Sequence, residues 1–320
     1  MLAAYASSLS LEDPLSALTI GDIAEPEVPE GWVTVHTKAC SLNHHDVWAL
    51  KGVALRAEQV PMILGTDAAG VTDDGREVIV YAVIGEAING DETIDPGRTL
   101  LSEKFPGTLA QKVRVPARNL IDKPAGITFE EAACLPTAYL TAYRMLATKS
   151  GTKPGDTVLV QGAGGGVSTA AIVLGKALGL TVWVTSRDAA KREWALTIGA
   201  DAAFEPGAKL PGKADAVIET VGAATWEHSV KSLRPGGTIV ISGATSGDMP
   251  PAQLTRIFFL QLTVAGSTMG TRAEFEAMID LLVRTGARPV IDRVMPLADG
   301  RAAFAAMASG DVHGKLVLTL

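Results

Sequence analysis

Cysteine is nearly absent from this chain of 320 residues, which contains only Cys40 and Cys134. Two distant cysteines exclude a disulfide-stapled scaffold and fit a reducing compartment, so we expect a cytoplasmic protein. The chain also lacks an apolar run long enough to cross a bilayer, and its N-terminal residues lack the basic start of a secretory signal. We therefore expect no association with membranes.

Positive charge is scarce relative to negative charge. The chain has 28 Lys and Arg against 35 Asp and Glu, which gives a net charge of −7. This balance argues against binding along the backbone of a nucleic acid, although it leaves room for a local basic pocket. With 47% hydrophobic residues, a chain of this length can form two domains with sizeable cores.

The spacing of apolar residues changes along the chain. Short strands are predicted first, then a helical stretch over 129–149 that is interrupted at Pro136, and then alternating strands and helices. Early strands are predicted over 33–39, 78–82 and 110–116. Later strands are predicted over 157–161, 181–185, 201–204, 215–219, 238–242 and 262–267, with helices near 167–178, 188–198, 224–233 and 273–285. The tail is predicted to form strands over 290–294 and 315–319 around a helix over 298–308.

This alternation predicts an α/β fold with a doubly wound parallel sheet. We expect a β-rich domain over 1–122 and 290–320, and a dinucleotide-binding domain over 123–289. Ligands of such sheets bind at the carboxyl ends of the strands, so we expect a site in the cleft between the domains.

The most informative motif is a glycine cluster that follows the strand at 157–161 and precedes a helix of small residues. It has the sequence Gly162-Ala-Gly-Gly-Gly-Val-Ser168. Glycines allow a tight turn and a close approach of the backbone, and the helix N-terminus presents free N–H groups to phosphates. The motif predicts a dinucleotide pyrophosphate site at Gly162, Gly165, Gly166 and Val167.

Five segments together resemble the medium-chain dehydrogenase/reductase superfamily. They are residues 41–52, 61–70, 133–143, 162–168 and 314–318, and they follow one another in the family's order along nearly the whole chain. The resemblance implies a GroES-like substrate domain followed by a Rossmann domain. Ser168 replaces the last glycine of the family's loop, and we expect binding to be retained because serine is nearly as small.

Many members of this superfamily carry a catalytic zinc, and the resemblance places its three ligand positions at Asn43, Thr66 and Thr137. None of these side chains is a good zinc ligand. Cys40 and Cys134 each lie three residues too early, and we expect them to be small buried apolar residues.

Two further observations bear on metal binding. Residues 85–105 contain no cysteine, so the family's structural zinc lobe is missing. His44 and His45 are adjacent, and neighbours on an extended segment point to opposite faces. We therefore predict no metal.

The second strand of the parallel sheet decides between the nicotinamide cofactors. Ser186 lies where NAD-dependent members have an acid that holds the ribose hydroxyls. Arg187 and Lys191 flank it and could bind a 2′-phosphate, although both could instead be solvated charges at a helix start. Asp188 fits better as the N-cap of the next helix. We therefore predict NADP(H).

The resemblance implies further cofactor contacts at the ends of other elements. They are Thr141, Gly222, Gly243, Ala244 and Ser267. These residues could also form simple strand-ending turns, and the two interpretations are compatible.

Members without zinc mostly resemble quinone oxidoreductases and enoyl reductases. The resemblance therefore implies NADPH-dependent hydride transfer to a small electrophile, either a quinone or an α,β-unsaturated carbonyl compound. One alternative is a zinc-independent alcohol dehydrogenase or carbonyl reductase. Another is a non-catalytic NADPH-binding protein.

Four residues are candidates for the substrate site. His45 could protonate an enolate, although it could equally be a structural histidine. Asn43 could hydrogen-bond the nicotinamide ribose or the substrate oxygen. Trp48 could stack on a flat substrate, and Thr66 is expected to line the substrate cleft.

The apolar segment over 257–264 lies near the expected edge of the parallel sheet. An exposed apolar edge strand favours association, so we expect a homodimer. The alternative is that the chain's own helices bury this segment.

Overall fold

The computed structural model describes residues 1–320. Its strands are β1 (Leu2–Ala6), β2 (Leu18–Asp22), β3 (Trp32–Ser41), β4 (Met62–Ile63), β5 (Asp67–Thr72), β6 (Glu77–Val80), β7 (Val83–Ile84), β8 (Thr99–Leu100), β9 (Lys112–Pro116), β10 (Leu120–Asp122), β11 (Thr157–Gln161), β12 (Thr181–Thr185), β13 (Ala202–Phe204), β14 (Ala214–Glu219), β15 (Leu233–Ile241), β16 (Thr263–Gly266), β17 (Ile291–Pro296) and β18 (Lys315–Thr319).

The α-helices are α1 (His44–Leu50), α2 (Phe129–Ala133), α3 (Leu140–Tyr143), α4 (Gly166–Ala177), α5 (Ala189–Thr197), α6 (Ala223–Ser232), α7 (Leu254–Phe259), α8 (Arg272–Thr285) and α9 (Gly300–Ser309). None of them has the length and apolar character that a membrane span requires.

The chain divides into two compact units. Unit 1 comprises Met1–Ala138, Thr271–Glu276 and Ile291–Leu320, and unit 2 comprises Tyr139–Gly270 and Ala277–Val290. Unit 1 therefore continues beyond the boundary after residue 122 that the sequence analysis suggested. The reason is that α2 packs on the unit 1 sheet, where the Ser41 hydroxyl donates to the Ala133 carbonyl at 2.9 Å.

Unit 1 is built around the long strand β3. Its seven-stranded sheet has the order β10-β6-β5-β3-β18-β17, and β9 also pairs with β3. β18 brings the C-terminus back beside β3 in antiparallel register, with Val317 opposite Ser41. Leu42, Leu50 and Phe304 are fully buried members of the core that this sheet covers.

Unit 2 contains a six-stranded parallel sheet. Its strand order is β13-β12-β11-β14-β15-β16, so the order reverses between β11 and β14. Every strand pair in it is parallel. The doubly wound fold predicted from the alternation of strands and helices is confirmed, and the reversal marks the point where such sheets bind ligands.

The helical stretch over 129–149 is less regular than predicted. Proline has no N–H and disfavours the helical ladder, so α2 ends before Pro136 and the chain continues through a π-helical turn over Leu135–Tyr139. A second π-helical turn covers Arg144–Lys149. The first of these turns carries Thr137.

Two local expectations need correction. The segment with His44 and His45 is the start of α1 rather than an extended strand, because the Asp46 carboxylate accepts the Asn43 N–H at 2.8 Å and closes the first turn. The apolar segment over 257–264 is partly helical, since α7 extends to Phe259 before the edge strand β16 begins at Thr263.

Candidate active site

The glycine loop of unit 2 has the geometry that the sequence predicts. Gly162 and Gly164 both have φ near 90°, a conformation that favours glycine. Gly165 precedes α4 and provides no side-chain cap, so the first N–H groups of the helix are available to an external acceptor. The Ser168 hydroxyl donates to the Gly165 carbonyl at 3.0 Å, which accommodates the residue that departs from the family pattern.

A buried carboxylate organises the neighbouring strand end. Glu219, at the end of β14, accepts hydrogen bonds from the N–H groups of Val221 and Gly222 at 2.8 and 3.0 Å. It also accepts from the hydroxyls of Thr225 and Ser229. The N–H of Gly222 is therefore already used within the protein. A side chain is also excluded at this position by the protein itself, because a Cβ would lie 2.3 Å from the Gly247 carbonyl oxygen. The role of Gly222 in cofactor binding stays a prediction.

The end of β12 carries the groups expected to select the cofactor. The Ser186 hydroxyl accepts the Asp188 N–H at 3.2 Å and keeps its own hydrogen to donate. The Asp188 carboxylate accepts the Ala190 N–H at 2.8 Å, which confirms it as the N-cap of α5. Arg187 is exposed. These features leave a hydroxyl and a guanidinium, rather than an acid, for the adenosine ribose.

The remaining cofactor candidates lie at the ends of unit 2 elements. Gly243 lies two residues after β15, and Ala244 is the next residue. A Cβ at Gly243 would lie 3.0 Å from the carbonyl oxygen of Thr220, which follows β14. Ser267 follows β16, and its hydroxyl is buried with no partner in the protein. Thr141 lies in α3. Buried polar groups normally have a hydrogen-bond partner, so the Ser267 hydroxyl is a candidate to hydrogen-bond a ligand.

In unit 1, three side chains at the positions aligned with zinc ligands form a hydrogen-bonded chain, which we name the polar chain. The Asn43 amide Nδ2 donates to Thr66 Oγ1 at 3.0 Å. Thr66 Oγ1 and Thr137 Oγ1 are 2.9 Å apart. The polar chain consists of Asn43, Thr66 and Thr137, and all three side chains are neutral.

A buried lysine anchors the polar chain. Lys315 Nζ donates to the Asn43 amide oxygen at 2.6 Å, to the Leu42 carbonyl at 2.8 Å and to the Asp67 carboxylate at 3.0 Å. Lys315 is 1% exposed and Asp67 is fully buried. The ammonium uses all three hydrogens, so its charge is compensated by Asp67 and its position is fixed.

His45 lies between two carboxylates of unit 1. Its Nε2 is 3.3 Å from Glu103 Oε1, and its Nδ1 is 3.7 Å from Asp46 Oδ1. Burial opposes the charged ring, but the two carboxylates outweigh it and raise the pKa of His45 to about 9. Burial likewise opposes the charge on Glu103, yet hydrogen bonds from His45 and the Leu100 N–H hold its pKa below the usual range.

This arrangement gives His45 a structural role in competition with the predicted catalytic one. Nε2 lies within hydrogen-bond distance of Glu103, whereas the buried Nδ1 faces Asp46 at 3.7 Å and has no hydrogen-bond partner. Its assignment as a proton donor stays a prediction. Trp48, one turn further along α1, packs edge-on against His44 with their rings 5.4 Å apart and is partly exposed, and its stacking role also stays a prediction.

Comparison with known proteins identifies the family. The profile of the alcohol dehydrogenase GroES-like domain matches residues 29–125, and the profile of zinc-binding dehydrogenases matches residues 166–284. A zinc-type alcohol dehydrogenase-like protein of Schizosaccharomyces pombe is 30% identical over 92% of this chain and 94% of its own length. The chain belongs to the medium-chain dehydrogenase/reductase superfamily.

Other members of the superfamily resemble the chain to a similar extent. An acryloyl-coenzyme A reductase of Sulfurisphaera tokodaii is 28% identical over 87% of this chain and 89% of its own length. The crystal structure of an NAD-dependent alcohol dehydrogenase superimposes with a TM-score of 0.92, at 32% identity and full coverage of both chains. The structure of a 2-octenoyl-CoA carboxylase reductase in complex with NADP and 2-octenoyl-CoA superimposes with a TM-score of 0.90, at 26% identity over 99% of this chain and 87% of its own length.

The zinc that the family description implies does not fit the residues of this member of the superfamily. The polar chain offers an amide and two hydroxyls where zinc requires thiolates, imidazoles or carboxylates. No three His, Cys, Asp or Glu side chains of the chain are grouped so as to hold a metal ion. Cys40 and Cys134 are fully buried free thiols whose pKa values burial raises, which confirms that they are small core residues.

Sequence reasoning missed three participants in the unit 1 site. Lys315 and Glu103 act on Asn43 and His45 through contacts distant in sequence, and no local pattern marks either of them. Thr137 was considered only as a vacant ligand position. Its place in a segment interrupted by proline was the available signal, because π-helical turns frequently occur at functional sites.

We predict that His45→Gln lowers the free energy of unfolding by about 1–3 kcal/mol at neutral pH, because the buried Asp46 and the partly exposed Glu103 lose their cation. The pKa of His45 is raised when the protein folds, so the stabilisation is complete below the ordinary value of 6.5 and is lost as pH rises through about 9. Urea unfolding of both proteins from pH 6 to 10 measures this difference.

His36→Gln is the matched control, because His36 forms an exposed ion pair with Asp73. We expect it to change the free energy of unfolding by less than about 0.5 kcal/mol. A His45→Gln difference that stays constant from pH 6 to 10 would contradict the ion-pair account.

Proposed function

We propose that this member of the medium-chain dehydrogenase/reductase superfamily adds hydride from NADPH to an electrophilic C=C bond conjugated to oxygen, in a quinone or an α,β-unsaturated carbonyl compound, without zinc. The observation that carries the proposal is the polar chain. A site that oxidises alcohols through zinc needs thiolate, imidazole or carboxylate ligands, and these three side chains provide an amide and two hydroxyls instead.

The chemistry divides between the cofactor and the chain. NADPH, when bound, supplies the hydride. Addition of hydride to the β-carbon moves the C=C electron pair toward the carbonyl carbon and leaves negative charge on the conjugated oxygen. A proton from solvent then reaches the α-carbon and the carbonyl re-forms. The task of the protein is therefore to orient the acceptor and stabilise charge on its oxygen.

Relatives support this substrate class. The acryloyl-coenzyme A reductase and the structure that contains 2-octenoyl-CoA both concern an activated C=C bond. Two alcohol dehydrogenases of Geobacillus stearothermophilus, each 27% identical over at least 94% of this chain, favour a second candidate. That candidate is a zinc-independent carbonyl reductase on the same cofactor.

A panel of acceptors separates these functions. NADPH oxidation is followed by stopped flow with quinones, enones, enals, enoyl-CoA thioesters and saturated ketones, each with and without a chelator. We expect turnover of conjugated acceptors that a chelator leaves unchanged. Turnover of ketones alone would favour the second candidate, loss of activity with chelator would contradict the zinc-free mechanism, and no turnover would favour a non-catalytic NADPH-binding protein.

We further propose that the cofactor is NADP(H), held at its 2′-phosphate by Ser186, Arg187 and Lys191. The N-cap role of Asp188 supports this, because the acid nearest the ribose is directed into its own helix. The glycine loop over Gly162, Gly165, Gly166 and Val167 would receive the pyrophosphate. The matched structure of the 2-octenoyl-CoA carboxylase reductase, which contains NADP, supports the proposal.

We predict that Arg187→Ala weakens NADPH binding at least tenfold and leaves NADH binding unchanged, because only NADPH carries the phosphate that a guanidinium can clamp. Fluorescence titration of both cofactors measures this. Arg56→Ala, which alters an exposed arginine in unit 1, is the control and should change neither affinity. Tighter binding of NADH than NADPH, unaltered by Arg187→Ala, would contradict the assignment.

We also propose a homodimer that forms through the apolar edge of unit 2. β16 is the edge strand of the parallel sheet, and its Val264 is 43% exposed. Phe259, on the preceding helix α7, is 78% exposed, and the side chains of Phe258 and Leu254 are exposed to a similar extent. The chain's own helices therefore do not cover this surface, and an exposed apolar edge strand is a liability that pairing removes.

We predict that Val264→Lys converts the dimer to a monomer in sedimentation velocity, since a charge on the edge strand opposes pairing. Val294→Lys is the matched control. Val294 is also an exposed valine on an edge strand, at 50% exposure on β17 of unit 1, and its variant should leave the mass unchanged. A wild-type protein that sediments as a monomer would refute the proposal.

A further inference from the structure

The hydrogen bonds of the polar chain have a fixed direction, which Lys315 sets. An ammonium can only donate, so the Asn43 oxygen that lies 2.6 Å from Nζ must be the acceptor. The other end of the same amide, Nδ2, is then a donor, and it points to Thr66 Oγ1. The orientation of the amide is therefore determined by its buried cation.

The direction continues through the two hydroxyls. Thr66 is fully buried, and its hydroxyl has only two partners, Asn43 Nδ2 and Thr137 Oγ1. If it accepted from both, its own hydrogen would be buried without an acceptor, which is costly. Thr66 therefore donates to Thr137.

Thr137 is the end of the polar chain. Its oxygen already accepts the Thr66 hydrogen, so its own hydrogen must point elsewhere, and no other atom of the protein accepts it. Unlike Thr66, Thr137 is partly exposed. The structure therefore presents one hydroxyl donor on a partly exposed side chain, which has no acceptor in the protein and is linked through Thr66 and Asn43 to a buried ammonium.

We propose that the Thr137 hydroxyl is a catalytic residue that donates its hydrogen bond to the substrate's carbonyl oxygen, where negative charge develops as hydride adds. A directed hydroxyl would thus take over the charge stabilisation that zinc supplies elsewhere in the superfamily. This inference rests on the proposed reduction of a conjugated or simple carbonyl compound, since either substrate places charge on an oxygen.

The test compares Thr137→Val, which keeps the shape of the side chain and removes the donor, with Thr137→Ser, which restores the donor. On whichever acceptor the wild type reduces, we expect kcat/KM to fall about 100-fold in Thr137→Val and to recover to within a few-fold in Thr137→Ser. NADPH affinity should not change. Thr197→Val, at the exposed end of α5, is the matched control and should retain full activity.

A second readout needs no turnover. The carbonyl stretch of an isotope-labelled saturated ketone bound to the wild type should shift to lower frequency, and Thr137→Val should remove the shift while Thr137→Ser keeps it. An unshifted ketone in the wild type, or a Thr137→Val protein with undiminished kcat/KM, overturns the inference even where the wild type is an active reductase. A wild type that reduces no acceptor yet shifts the ketone would refute the proposed function and support the hydrogen bond.

Discussion

The ion pair between Lys315 and Asp67 is the interaction on which the rest of unit 1 depends. It joins the last strand of the chain to β5, and the same ammonium donates to the carbonyl of Leu42, which follows β3, and to the amide oxygen of Asn43. Removing one partner of a buried pair costs about 3–5 kcal/mol, because the other charge stays uncompensated. The C-terminal strand is therefore held in place by the group that also orders the residues at the start of α1.

Charged and neutral groups adjoin one another in the unit 1 site. Asp67 and Lys315 form a buried ion pair, and Asp46 and Glu103 flank His45. Asp46 connects His45 to the polar chain, since one of its oxygens accepts the Asn43 N–H and the other faces His45. His45 and Glu103 are partly exposed, whereas Asn43 and Thr66 are buried. Thr137 is the one partly exposed member of the polar chain.

Local patterns were sufficient to predict unit 2 but not the chemistry of unit 1. The strands over 157–161 and 181–185 were predicted with their observed bounds, because β-branched runs between turns carry the signal within the segment itself. Lys315 was missed because a lysine in a strand normally indicates an exposed position, and its partner Asp67 lies 248 residues away. Asn43 and Asp46 have the spacing of a capping box, a sequence signal for the start of α1 that was overlooked. The π-helical turn at Thr137 depends on a shift in hydrogen bonding that composition does not encode.

The two helices that begin beside the reversal of the parallel sheet differ in how their N-termini are satisfied. At α6, the carboxylate of Glu219 already binds the N–H groups just before the helix, so the protein supplies its own anion there. At α4, no side chain does the same. Beside the reversal, the protein therefore supplies a carboxylate to the N–H groups that precede α6, and no side chain to those of α4. Because the N-terminus of a helix attracts negative charge, α4 is the helix start of the two that keeps this attraction unanswered within the protein.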